Sequence, residues 1–225
     1  MNKEIAVVDY GMGNIHSIDK ALKFVASGDN IKVTDKPQDL ADADKVVFPG
    51  VGAIRDCVAA LKSSGLDAAI KQAAKEKPLM AICVGMQALF ENNEEDANSH
   101  GLGILQGDVK LIKDDGGKAQ PQEKSQEEFQ ERLKVPQIGW NQLNLVDPDH
   151  PLYYKIAQNS YFYFVHSYYC LSDDPKIASA KCTYGIEFDA AVLSGNVFAT
   201  QFHPEKSQDD GLQMLKNFCQ WEGCK

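Results

Sequence analysis

The chain has 225 residues, of which 44 % are hydrophobic, and carries a formal net charge of −9 with a sequence pI near 5.0. That is enough for one large domain or two small ones, with a sizeable core. The acidic balance, with no lysine- or arginine-rich cluster, excludes nucleic acid and anionic membrane as main partners. No apolar run reaches the roughly 18 residues of a membrane span. The opening "MNKEIAVVDYG" lacks the apolar core and cleavage site of a secretory signal, so a cytoplasmic chain is expected.

"EIAVVDY" (4–10) reads as a buried strand, followed by the turn "GMGN" (11–14) and a helical stretch, "SIDKALKFVA". "IKVTD" is a second strand and "KVVFPG" a third, stopped at Pro49-Gly50. "LDAAIKQAAKEK" is an amphipathic helix, and "PLMAIC" is the fourth strand. Strands that alternate with helices build a parallel sheet covered on both faces.

The second half follows a different pattern. "IGWNQLNLV", "YFYFVHSYYC", "KIASAKCTY", "DAAVLSG" and "NVFATQFHP" are successive strands with short turns, so the sheet becomes mixed or antiparallel. "DDGLQMLKNFCQW" closes the chain as a helix with Leu212, Leu215, Phe218 and Cys219 on one face. The expectation is an α/β fold: a single domain, residues 1–225, with a central parallel/mixed sheet flanked by helices and an antiparallel-rich C-terminal half. Residues 113–134, "KDDGGKAQPQEKSQEEFQERLK", are rich in charge and nearly free of aliphatics. Such a stretch cannot bury much and is expected to be a mobile surface insertion, with Ser125 and Glu128 a possible capping box.

Of the six cysteines no pair forms C-x-x-C, and with no secretory signal free thiols are expected. Cys83 stands apart, between a strand and a helix in "AICVGM". On such an elbow a nucleophile stands proud of the sheet, the next backbone N–H can serve an oxyanion, and the helix N-terminus favours a thiolate. Ala81 and Gly85 relieve crowding there, Ala81 standing where an elbow usually has glycine. The bland alternative is a buried cysteine that ends a strand.

A thiol nucleophile needs a base and the base an orienter. "TQFHPEKS" supplies His203 and Glu205, which extended geometry puts on one face. H-P-E also opens a zinc-deaminase signature, but the P-C-x-x-C that must follow is missing, so no metal site is expected. "FPGVG" (48–52) can present backbone N–H groups as the second half of an oxyanion hole. "GMGN" lacks the third glycine of a dinucleotide loop, and no G-x-S-x-G occurs. His166, inside "YFYFVHSYYC", is taken as a core or strand-edge histidine.

Together, "ICVGMQ", "FPGVG" and "FHPEKS" resemble the class I (triad) glutamine amidotransferases. "VVDYGMGNIHSIDKAL", "VPQIGWNQL", "YFYFVHSYY" and "ATQFHPEKSQDDGLQMLKNF" are similar to the glutaminase subunits of imidazole glycerol phosphate synthase. The resemblance covers the chain except residues 113–134. It implies a cytoplasmic hydrolase that acts on the carboxamide of L-glutamine, and a lyase as the complex, with no cofactor. Cys83 would be the nucleophile, His203 the general acid/base and Glu205 its orienter. Gly50, Val51 and Val84 would surround the oxyanion; Gly52, Gln87, Glu95, Ser167 and Tyr168 would hold glutamine.

Asn14, Trp140 and Lys206 would face the partner. That partner is implied to be a (β/α)8-barrel cyclase, in a heterodimer, which receives ammonia through a tunnel for histidine biosynthesis. Regulation is also implied, with the isolated chain turning the Gly50–Val51 carbonyl toward Cys83. Two other readings use the same residues. One is a paralogous glutaminase subunit that feeds a barrel partner in surface-sugar amidation. The other is an inert scaffold subunit, which the presence of all three triad residues opposes.

Overall fold

A computed structural model describes residues 2–26, 28–96, 100–113 and 133–224. The first half runs β1 (Glu4–Val8), α1 (Ile15–Val25), β2 (Asn30–Thr34), α2 (Pro37–Asp42), β3 (Lys45–Gly50), α3 (Ile54–Ser64), α4 (Leu66–Glu76), β4 (Leu79–Cys83) and α5 (Val84–Leu89). Every residue of β3 and β4 is buried, as in a parallel strand covered on both faces. Helix α1 buries Ile18, Ala21, Leu22 and Val25, a single stripe at helical spacing. Two short helices had no counterpart in the sequence reading. α2 starts on Pro37, whose missing N–H is harmless in a first turn. α3 buries Ile54, Cys57, Val58 and Leu61 and ends at Gly65, a left-handed cap with φ +74° that reverses the chain into α4.

The second half runs β5 (Phe90–Asn93), β6 (Leu105–Leu111), β7 (Gln137–Gln142), β8 (Asn144–Leu145), β9 (Tyr161–His166), β10 (Tyr168–Ser172), β11 (Ala178–Tyr184), β12 (Ile186–Ser194), β13 (Val197–Thr200) and α6 (Gln208–Gln220). The main sheet has the order β2-β1-β3-β4-β13-β12-β10-β6-β5, with β11 attached to β12 and β8 to β11. Strands β2, β1, β3, β4 and β13 are parallel, and β12, β10 and β6 follow antiparallel. The mixed sheet with an antiparallel C-terminal half is therefore as expected.

One expected strand is two. "YFYFVHSYYC" breaks at Ser167: β9 pairs with β7 in a separate two-stranded sheet, and β10 joins the main sheet beside β6. "IGWNQLNLV" likewise splits into β7 and β8. A run of aromatic and β-branched residues fits any pleated surface, so it carries no signal of where the chain changes partners. Phe162 and Phe164 of β9 pack on Phe202, with ring centroids 4.5 and 5.7 Å apart. That aromatic cluster fixes the small sheet against the chain just before His203.

The insertion expected at 113–134 lies, apart from its ends, outside the described residues. Among the described residues, no helix is long and apolar enough to cross a membrane.

Candidate active site

The strand order reverses direction beside β1, and crevices at such points lie beyond the carboxyl ends of the strands. Here β3 and β4 stay in register to their last residues, Gly50 opposite Cys83. Cys83 has φ +56° and ψ −113°, a backbone region that costs a non-glycine residue roughly 1–3 kcal/mol. Such strain persists only where surrounding packing over-determines it. The packing here is backbone on backbone. A Cβ on Gly85 would stand 2.2 Å from the Phe48 carbonyl oxygen, and one on Gly50 would stand 2.5 Å from the Gly85 nitrogen. Glycine at both positions is what lets the elbow rest on the end of β3.

Cys83 is 4 % exposed. Its Sγ lies 3.8 Å from the Val165 carbonyl, to which the thiol donates, and 3.8 Å from Nε2 of Gln201, which donates to it. His203 arrives from β13, which pairs in parallel with β4, and its N–H donates to the Tyr163 carbonyl at 2.9 Å. His203 Nδ1 is 2.9 Å from Glu205 Oε1, both side chains being almost fully buried. The pair forms across a short 3-10 turn, Pro204–Lys206, and not along an extended strand, since β13 ends at Thr200. Asn14 Nδ2 adds a 3.5 Å bond to the same Glu205 oxygen.

Burial works against the imidazolium of His203. The Cys83 sulfur and the Glu205 carboxylate outweigh it and hold the pKa up at about 10. An imidazolium beside a sulfur is the arrangement that makes a thiolate available.

These groups open on a cavity of about 320 Å3. Val51, Gly52 and Val84 line it from the β3 and elbow side, Gln87 from α5 and Glu95 from beyond β5, and Ser167, Tyr168 and Lys206 from the remaining wall. Glu95 Oε2 accepts the Ile54 N–H at 2.6 Å, which fixes the carboxylate at the first turn of α3. Gln87 Nε2 donates to the Tyr168 carbonyl at 3.0 Å. Gly50 lies behind the wall, against Gly85. The buried Tyr10 hydroxyl sits beside Gly50 with the Val51 N–H and the Cys57 thiol as polar neighbours, but among the described residues it has no hydrogen-bond partner.

Trp140 lies on the outer face of the small sheet, 44 % exposed, with its ring edge-on to Tyr163 at 5.7 Å. Ile138, on the same face, is 62 % exposed. His166 is a core histidine, as expected, but every ring nitrogen is engaged: Nδ1 with the Tyr168 carbonyl at 2.7 Å and Nε2 with the Gln137 carboxamide at 2.9 Å. Burial drives its pKa down to about 4, against the pull of that carbonyl, and the nearby His203 adds to the drop. Gln137, Gln201 and Pro136 were not singled out from the sequence. A lone amide inside "VFATQF" was the available signal for Gln201, since a buried polar group needs a partner.

A family model described as glutamine amidotransferase class-I matches residues 6–221. The imidazole glycerol phosphate synthase subunit HisH of Acinetobacter baylyi is 49 % identical, over 96 % of this chain and 98 % of that one. The protein of the same name from Methylococcus capsulatus is 46 % identical, over 97 % and 96 %. Among solved structures, PurLQS from Thermotoga maritima superposes with a TM-score of 0.68 at 22 % identity, covering 97 % of this chain and 98 % of that one, a likeness of fold.

Proposed function

Because the chain belongs to the class-I glutamine amidotransferase family, we propose that it hydrolyses L-glutamine and passes the ammonia to a cyclase subunit of imidazole glycerol phosphate synthase. The observation that carries this is a strained cysteine elbow and His203, held by the buried Glu205, that open on one cavity. Proteins named imidazole glycerol phosphate synthase subunit HisH are similar over nearly the whole chain, which favours that complex over surface-sugar amidation.

The chemistry follows from the groups present. Cys83 thiolate attacks the side-chain carbonyl carbon of glutamine, and the C=O electrons move to oxygen. Val84 N–H and a donor from the Gly50–Val51 stretch meet that oxyanion. His203 imidazolium gives its proton to the departing nitrogen, ammonia leaves, and a Cys83 thioester remains. Neutral His203 then takes a proton from water as hydroxide adds to the thioester. Collapse expels the thiolate and leaves glutamate. Glu205 holds His203 by Nδ1, so Nε2 faces the reaction. Glu95, Gln87, Ser167 and Tyr168 hold the ends of the amino acid, with Gly52 at the wall.

In this reading the free chain keeps the Gly50–Val51 carbonyl toward Cys83 and so lacks one oxyanion donor. Such a donor is worth roughly 3–4 kcal/mol, or about 10²–10³ in turnover. Trp140, Asn14 and Lys206 are the proposed partner contacts, and the partner is a (β/α)8-barrel cyclase. The test is glutamine hydrolysis by the chain alone and with the cyclase plus its nucleotide substrate. Turnover is expected to rise by that factor on assembly. No glutamine hydrolysis in either state would overturn the reading.

A further inference from the structure

Gln201 is fully buried, and nothing in the proposed reaction yet uses it. Its carboxamide orientation can be worked out from a fixed point. The Tyr168 carbonyl can only accept, so the Gln87 group 3.0 Å from it must be the NH2. The same Gln87 nitrogen is 3.0 Å from Gln201, which must therefore present its oxygen there. The Gln201 NH2 is left facing the Cys83 sulfur at 3.8 Å. A backbone carbonyl thus sets, through two amides, which end of Gln201 meets the sulfur.

We propose that Gln201 is a further catalytic residue, whose N–H stabilises the Cys83 thiolate before attack and again when the thioester breaks. The inference rests on Cys83 being the nucleophile. The thiol form has a second outlet, since its proton is served by the Val165 carbonyl. That contact disappears with the proton, whereas a donated N–H strengthens once the sulfur is charged. Gln201 therefore discriminates between the two states of the sulfur, and Val165 favours the resting one. Gln87 carries two duties: it lines the cavity, and it holds the amide of Gln201 in the donating orientation.

The test is the pH dependence of Cys83 alkylation by iodoacetamide, with the labelled site read by peptide mass. A Cys224→Ser background removes the exposed thiol, and the other cysteines are buried. Burial also pushes Cys57, Cys182 and Cys219 up to about 12 and Cys170 well above its usual value, so they do not compete. The titratable groups that face Cys83 are His203 with Glu205, His166, Tyr10, Tyr168 and Cys170 from the packed strands. Glu95 and Lys206 face it across the cavity. All are unchanged in the variants, so a difference reports the donor.

Gln201→Met is expected to move the acid limb of alkylation up by about one pH unit, the loss of one hydrogen bond to a charged group. Gln87→Met, which frees the amide to turn, is expected to move it the same way by less, and the double variant no further than Gln201→Met. A folded Gln201→Met with the wild-type profile overturns the proposal. Should that variant fail to fold, an unchanged profile in Gln87→Met does so. If Cys83 is not labelled in the parent protein, or Cys83→Ala keeps glutaminase activity, it is the reading of the nucleophile that fails.

Discussion

Acidification should destabilise this protein through His166. The ring is buried in β9 with a folded pKa of about 4, against 6.5 for a free histidine. A neutral imidazole has one N–H. It can go to only one of the two oxygens that face the ring, the Tyr168 carbonyl at Nδ1 or Gln137 Oε1 at Nε2. Because the folded pKa lies below the unfolded one, the unfolded chain takes up the proton first as pH falls. Stability is therefore lost between pH 6.5 and about 4, at about 1.4 kcal/mol per pH unit, or about 3 kcal/mol in all.

Against a typical total of about 5–15 kcal/mol that is a large fraction. His203 does not blur the window. Its folded pKa, about 10, lies above 6.5, so its contribution is complete below pH 6.5 and lost only as pH rises toward 10. His150, lowered by burial, acts in the same direction as His166, and Asp189, raised by burial, opposes it. Both are cancelled by comparing wild type with His166→Gln in urea titrations followed by far-UV circular dichroism from pH 7 to 4. The wild-type stability should fall by about 3 kcal/mol more than that of the variant. Parallel profiles would refute the reasoning, because they would mean that His166 is not held neutral by the fold.

Cys83→Ala should abolish glutamine-dependent product formation, by roughly 10⁴-fold or more, while the assembled complex still makes product from added ammonium. Product formation with each nitrogen donor checks this directly. Gly85→Ala puts a Cβ 2.2 Å from the Phe48 carbonyl oxygen, which neither backbone can avoid. It should cost at least about 1–3 kcal/mol in denaturant unfolding and, with the elbow displaced, most of the glutaminase rate. Residues 116–130 contain none of the proposed site residues, so their deletion is expected to leave partner-stimulated turnover within a few-fold; its loss in the assay would make the segment functional.

The parts of the site that could be read from sequence are those whose chemistry is local. Cys83 is marked by the change from "PLMAIC" to a helical run, and its partners by a histidine and a glutamate two apart. Each motif carries its own geometry: the elbow in a single positive φ, the His203–Glu205 bond in one short turn. The parallel first half was legible for the same reason, since apolar strands and amphipathic helices announce themselves by period. What joins the motifs is not local. The parallel pairing of β13 with β4 brings His203 beside Cys83, and register between strands this far apart depends on the whole sheet.

The break at Ser167 is of the same kind. Neighbouring aromatic residues suit either sheet, and the division between them is settled by Phe162 and Phe164 packing on Phe202. Gln201 is the sharpest case. Its sequence context is that of any buried strand end, and nothing in it distinguishes an amide that fills a gap from one that donates to a nucleophile. That depends on where Gln87 and the Tyr168 carbonyl stand, because an amide has two nearly identical ends and only its neighbours decide which of them faces the sulfur.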